Sequence, residues 1–184
     1  AKKDSTSKAT VNINLTNNYS GTISEIKIIG KIPFEGNTYQ LNGEELGSEF
    51  NTTMTSDGIK LPDELKNKAT VYYSYNENTT EDISDSNNEW TKSPADMSRV
   101  KTFLVDLEDY VMSKGETQVF TYDIEVPGGL EYNSVSYSDH AIYFCLDTSE
   151  GKLQTQVEPN KLGFMIAKKF NFEVIKYEYN TDKK

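Results

Sequence analysis

From residue 10 to residue 17 the chain reads TVNINLTN, apolar at Val11, Ile13 and Leu15 and polar at Asn12, Asn14 and Thr16. A period of two predicts a strand with one buried face. NNYSGT makes a turn, and ISEIKIIGKIPF over 23–34 predicts a second, more deeply buried strand. That strand stops at Pro33, because proline has no N–H to give to a ladder. The signals weaken from 35 to 68. There GNTYQLNG and SEFNTTMT predict short edge strands, Asp57-Gly58 carries turn chemistry, and PDELKN predicts one helical turn with Pro62 in its first position. ATVYYSYN over 69–76 returns to a clear strand, with Val71, Tyr73 and Tyr75 on one face.

VKTFLVDL over 100–107 fits a helical stripe as well as a strand. Strands on both sides favour the strand, followed by a turn through LEDYVMSKGE. In TQVFTYDIEVP, over 117–127, Gln118, Phe120, Tyr122, Ile124 and Val126 form the set that must face the core. A strand is expected from near Val135 to Asp147, a further strand pair turns at Glu150-Gly151, and 163–180 closes the chain with one or two strands. Many short strands with frequent turns and no convincing helix predict an all-β, antiparallel β-sandwich, Ig-like or adhesin-like, with few or no helices. The expected organisation is a disordered linker over 1–9, one sandwich over 10–169, and a closing strand with a linker to a following module over 170–184.

Composition supports the strands and narrows the chemistry. Apolar residues make up 35% of the 184, low for a core, but 12 Tyr and 8 Phe compensate with large rings. The net charge is −10 and Arg99 is the only arginine. No nucleic acid is expected as a partner, since phosphates need clustered cations. No apolar run is long enough to cross a bilayer as a helix, so no membrane insertion is expected. His140 and Cys145 are the only residues of their types. Zinc is therefore unsupported. Five positions apart on one strand, the two would face opposite sides of the sheet, which disfavours a thiol enzyme. A Ser-His-Asp arrangement could draw only on the adjacent Ser138 and Asp139, and no nucleophile elbow is present.

The stretch YYSYNENTTEDISDSNNEW over 72–90 carries the most concentrated candidate chemistry. Asp82, Asp85, Asn87 and Glu89 supply hard oxygen ligands, so calcium is the one cofactor left open, although the spacing lacks the glycine of a known calcium loop. Trp90, Tyr72 and Tyr75 could stack against a sugar. The competing reading is a long surface loop with packed tyrosines and solvated acids.

Several pieces resemble modules of large surface proteins of Gram-positive, clostridia-like bacteria. These are SEIKIIGKIPFEGN, ATVYYSYNENTTEDI followed by a tryptophan, and VKTFLVDLEDYVMSKGETQVFTYDIEVPGGLEYN. FEVIKYEYNTDKK resembles the first strand and hairpin of a collagen-adhesin B-type (SpaA-like) domain. In such domains the lysine of the first strand forms an isopeptide bond with Asn or Asp, promoted by a buried acid. The matching lysine is Lys176, with its partners further along a domain to follow. A cross-link within the present domain would use Lys27, best placed by strand logic, with Asn12 and Asp123 as partner and acid. Some adhesins of this kind join Cys to Gln in a thioester, but Gln154 and Gln156 follow Cys145 too closely to match that pattern.

The resemblance implies a non-enzymatic structural or adhesive module of a secreted, wall-anchored protein, located outside the cell at the cell wall. Its partners would be neighbouring domains of the same chain and a host glycan or extracellular-matrix protein. A stalk of this kind is expected to have its ends at opposite poles. The alternative expectation is a carbohydrate- or host-protein-binding sandwich, stabilised by calcium.

Overall fold

The computed structural model describes residues 5–107 and 109–168. Among the described residues nine strands follow in order: β1 (Ser7–Thr16), β2 (Ile23–Lys31), β3 (Thr53–Lys60), β4 (Thr70–Ser74), β5 (Thr102–Leu107), β6 (Thr117–Val126), β7 (Val135–Thr148), β8 (Gly151–Val157) and β9 (Leu162–Met165). They form two antiparallel sheets, one in the order β1-β6-β3 and the other β4-β5-β2-β7-β8, with β9 also on β7. The fold is an all-β sandwich. Among the described residues, helix is limited to three single 3-10 turns, at Asp63–Leu65, Ser86–Asn88 and Met97–Arg99.

The inner layer follows from alternation. Val11, Ile13 and Leu15 of β1 and Phe120, Tyr122 and Ile124 of β6 pack on Ile26 and Ile28 of β2 and Phe103, Val105 and Leu107 of β5. The six-stranded sheet is covered on its other face too. Ile29, Leu104 and Ala141 point that way and are 0% exposed. This is why β5 is buried at all six positions and shows no alternation in sequence.

Two loops provide the outer cover. Gln40 Nε2 donates to the Thr79 carbonyl, Thr102 Oγ1 donates to the Asn76 carbonyl, and Lys27 Nζ reaches the Glu81 carbonyl at 3.2 Å. The edge strand expected over GNTYQLNG is corrected here, while the one expected over SEFNTTMT is present in part, since β3 begins at Thr53 and lies at the edge of the small sheet. Residues 35–50 form a loop with one isolated bridge, Thr38 to Glu45; most of its backbone bonds stay local, and the Glu49 N–H reaches the Val135 carbonyl on β7.

Two further expectations shift. Ser7 already pairs with Val126, so β1 begins inside the stretch expected to be linker. Asp57-Gly58 does not close a hairpin but lies inside β3, where the register with β6 slips between Met54 and Ile59 and Gly58 takes φ +63°. A bulge uses the same left-handed glycine that a turn does, so the dipeptide alone does not separate the two. The helical turn expected at PDELKN is present as the 3-10 turn Asp63–Leu65, with Pro62 extended just before it and not in its first position. The closing strand over 170–184, with Lys176, lies outside the described residues.

Ser7 and Ala9 at the start of β1, Phe164 and Met165 at the end of β9, and Ile166 and Ala167 after it line one hollow of about 290 Å³.

Candidate functional site

The outer face of the six-stranded sheet gathers polar groups that the loops bury. Lys31 on β2 pairs in register with Asp139 on β7 and Thr102 on β5. Lys31 is 3% exposed and Asp139 1%. The Gln40 N–H donates both to Asp139 Oδ2 at 2.9 Å and to Glu158 Oε1 at 2.6 Å, and the Leu41 N–H adds to Glu158 at 3.0 Å. Two carboxyl groups on one donor cannot both hold a charge at low cost. Burial, then the hydrogen bond to Glu158, raises the Asp139 carboxyl to about 7. Lys31 donates to Thr38 Oγ1, and burial holds its amine below the ordinary value despite the nearby carboxylates. The group is a polar clasp: it ties the 35–48 loop to β2, β7 and the segment after β8.

Beside it, towards the far end of β7, lies a cleft of about 720 Å³ lined by Glu25, Lys27, Glu81, Tyr143, Cys145 and Lys152, among others. A bulge in β2 between Ser24 and Lys27 gives Glu25 φ +52° and turns its carboxylate into the cleft. There Glu25 accepts from Lys152 Nζ at 2.6 Å and from the Cys145 thiol at 3.3 Å. Lys152 first, then the thiol, holds the Glu25 carboxyl below its usual range. Burial and the Glu25 carboxylate push the thiol up. A thiol held protonated is a poor nucleophile. Gln154 is the ladder partner of Cys145. The short sequence separation that disfavours a Cys-Gln pair is supplied by the β7–β8 hairpin, but the thiol is turned onto Glu25 instead.

On the inner face Ser138, Tyr122 and His140 form a hydrogen-bonded trio, with Tyr122 Oη 2.8 Å from Ser138 Oγ and 3.3 Å from His140 Nε2. Desolvation lowers the His140 imidazole to about 4 and raises the Tyr122 phenol. Asp139 points away to the outer face, so the three residues of the SDH run do not assemble into a triad.

The loop over 76–90 is ordered from within by Asn88, which is 1% exposed. Its Oδ1 accepts from the Thr80 N–H, its Nδ2 donates to Thr80 Oγ1 and the Asp82 carbonyl, and its own carbonyl accepts from Ser74 Oγ. Asp82 accepts from Ser84, and Asp85 accepts from the backbone and side chain of Asn87. Each acid thus caps its own turn. Glu89, at φ +52°, is exposed. Among the described residues no group of three or more His, Cys, Asp or Glu side chains is placed to hold a metal.

The aromatic trio is also dispersed. Tyr72 lies on the outer face with Lys92 5.3 Å over its ring. Tyr75, three positions on, faces the other way, carries Arg99 at 4.8 Å and accepts from the Asp96 N–H. Trp90 Nε1 donates to the Thr80 carbonyl. Lys27 is on the outer face of one sheet, while Asn12 and Asp123 project from the exposed face of the other, where Asp123 accepts from Lys60 and Thr10. The structure does not bring these three together. Lys31, Asp139, Glu158 and Glu25 were missed by sequence reasoning. The available signals were a lysine inside the apolar run IIGKIPF and an aspartate on the opposite face from its flanking serine and histidine.

Comparison with known protein families, characterised proteins and solved structures found no match to this chain.

Replacing Asn88 by Ala is expected to cost about 2 kcal/mol, because it removes the part-buried hydrogen bonds to Thr80 and Asp82 that order the loop. Trp90, tied to Thr80, reports it. Its emission should shift to the red and its quenching by acrylamide should rise, and an unchanged spectrum with an unchanged melt would refute the role given to Asn88.

Proposed function

We propose that this chain is a non-enzymatic structural or adhesive module of a secreted, wall-anchored bacterial surface protein. The observation that carries the reading is the double cover of the six-stranded sheet, with one face sealed by the second sheet and the other by hydrogen-bonded loops. Such a body resists deformation without disulfides or metal, which is what a load-bearing spacer needs. The acidic surface and the resemblance to adhesin modules agree with a place outside the cell.

Stretching the full chain between flanking handles on single molecules tests this reading. One cooperative unfolding event, at forces above those of helical domains, is expected. Gradual lengthening at low force would rule out a mechanical role.

The outer cleft favours a second reading, a binder of a host glycan or protein. Tyr143 offers a ring there, and Lys27, Lys152, Gln154 and Gln156 offer donors around it. A glycan and matrix-protein array decides between them: binding lost on Tyr143→Ala supports the binder, and an empty array leaves the spacer.

A further inference from the structure

The row β4-β5-β2-β7-β8 ends, among the described residues, in β8 with no strand beyond it. At the other end of the row the edge of β4 is met by the bridge from Tyr73 to Thr91. Folded proteins blunt a free edge with a bulge, a proline or an inward-pointing charge, and β8 has none of these. Its ladder with β7 runs unbroken from Val157 opposite Ile142 to Gly151 opposite Thr148. Leu153 and Val157 point to the inner face and are 58% and 47% exposed, and Leu146 and Ile142, their ladder partners, are only half-buried. Val157 also helps to line an apolar groove of about 390 Å³. The edge of β1 differs, because its inward residues Val11, Ile13 and Leu15 are buried within the chain. Pairing there would cover backbone and little apolar side chain.

We propose that β8 is the contact of a symmetric dimer, pairing antiparallel with β8 of a second copy about a two-fold axis through Thr155. The self-complementarity of the strand selects this occupant. A two-fold ladder sets outer residues against outer and inner against inner, so its axis passes through a residue and not between two. With the axis at Thr155, Leu153 faces Val157, Gln154 faces Gln156 and Lys152 faces Glu158. Apolar then meets apolar, amide meets amide and a lysine meets a glutamate. Moving the axis to Gln154 sets Leu153 against Thr155, and moving it to Gln156 sets Gln154 against Glu158. The Thr155 register is the one of the three that matches at every pair. Lys152 keeps Glu25, and Glu158 keeps the Gln40 and Leu41 N–H groups, so no like charges are set opposite.

The axis is normal to the sheet, so the outer clefts of the two copies, each lined by Gln154 and Gln156, become neighbours across it. This pairing stands independently of the surface-module reading.

Sedimentation of the full chain over a dilution series tests it. A dimer that dissociates on dilution is expected. Thr155→Lys, which sets two like charges against each other on the axis, should weaken that dimer by about tenfold or more, with an unchanged far-ultraviolet spectrum to show the variant folded. Cysteine variants read the register. Thr155→Cys should cross-link two copies on mild oxidation, because a residue on the axis faces itself. Gln156→Cys, which faces Gln154, should not, nor should the parent, whose Cys145 is buried. This pattern decides alone if the lysine variant does not fold. A chain that stays monomeric across the series, a dimer unmoved by Thr155→Lys, or cross-linking through Gln156→Cys in place of Thr155→Cys would overturn the proposal.

Discussion

Gly30→Ala is expected to destabilise the protein by about 3 kcal/mol, equivalent to a drop of about 10 °C in the melting midpoint for a chain of this size. Gly30 lies on the inner face of β2, in register with Phe103 on β5 and His140 on β7. A Cβ there would stand 2.1 Å from Cζ of Phe103 and under 3 Å from both of its Cε atoms. The ring cannot step aside. It is 0% exposed, meets Tyr122 edge-on at 5.2 Å, and has His140 at 6.2 Å. A methyl group can therefore be accommodated only by parting β2 from β5 at the centre of the sheet. Combining Gly30→Ala with Phe103→Leu should recover part of the loss by making room, although the second change alone costs stability. Chemical denaturation of the four proteins measures the coupling. If Gly30→Ala melts within 2 °C of the parent, the close packing of Phe103 over Gly30 is wrong.

Between pH 4 and pH 6.5 the stability is expected to stay nearly level, and then to fall as pH rises through 7. Two neighbours on β7 set this profile from opposite faces. Asp139, surrounded by Glu158, Lys31, Tyr143 and the Gln40 N–H, has its carboxyl raised by burial from 3.8 to about 7. Its contribution is fully present below pH 3.8 and is lost as pH rises through about 7. His140, facing Tyr122, Ser138 and Phe103, has its imidazole lowered by desolvation from 6.5 to about 4. Its contribution is fully present above pH 6.5 and is lost as pH falls through about 4.

Each group carries a slope of about 1.4 kcal/mol per pH unit, with opposite sign, so the two cancel where their ranges overlap. Asp139→Asn should unmask His140, with stability climbing by up to about 3 kcal/mol from pH 4 to pH 6.5. His140→Phe should unmask Asp139, with stability declining across the same range. The carboxylates held low by hydrogen bonds act at the acid end, Glu25 below pH 4.5 and Asp63, Asp82, Asp96, Asp123 and Asp147 below pH 3.8. Denaturant titrations at half-unit pH steps give the three profiles. Parallel profiles for the parent and Asp139→Asn would refute the raised carboxyl.

The period-of-two pattern determined most of the fold. It placed β1, β2, β4 and β6 and identified Phe120, Tyr122 and Ile124 as inward-facing, because a half-buried strand writes its two environments into alternate residues. It failed where a segment is covered on both faces, as in β5, or where bonds to distant partners anchor a loop, as in residues 35–50. The candidate sites were less legible. The acids of 82–89 and the rings of Tyr72, Tyr75 and Trp90 are neighbours in sequence, but each is engaged by a different local partner. The groups that do converge are 108 residues apart in Lys31 and Asp139 and 120 apart in Glu25 and Cys145. Sequence by itself settled the sandwich class, through local periodicity. Only the tertiary structure decided which polar side chains meet, because strand register across a sheet brings together residues with no spacing in common, and burial then sets their charge.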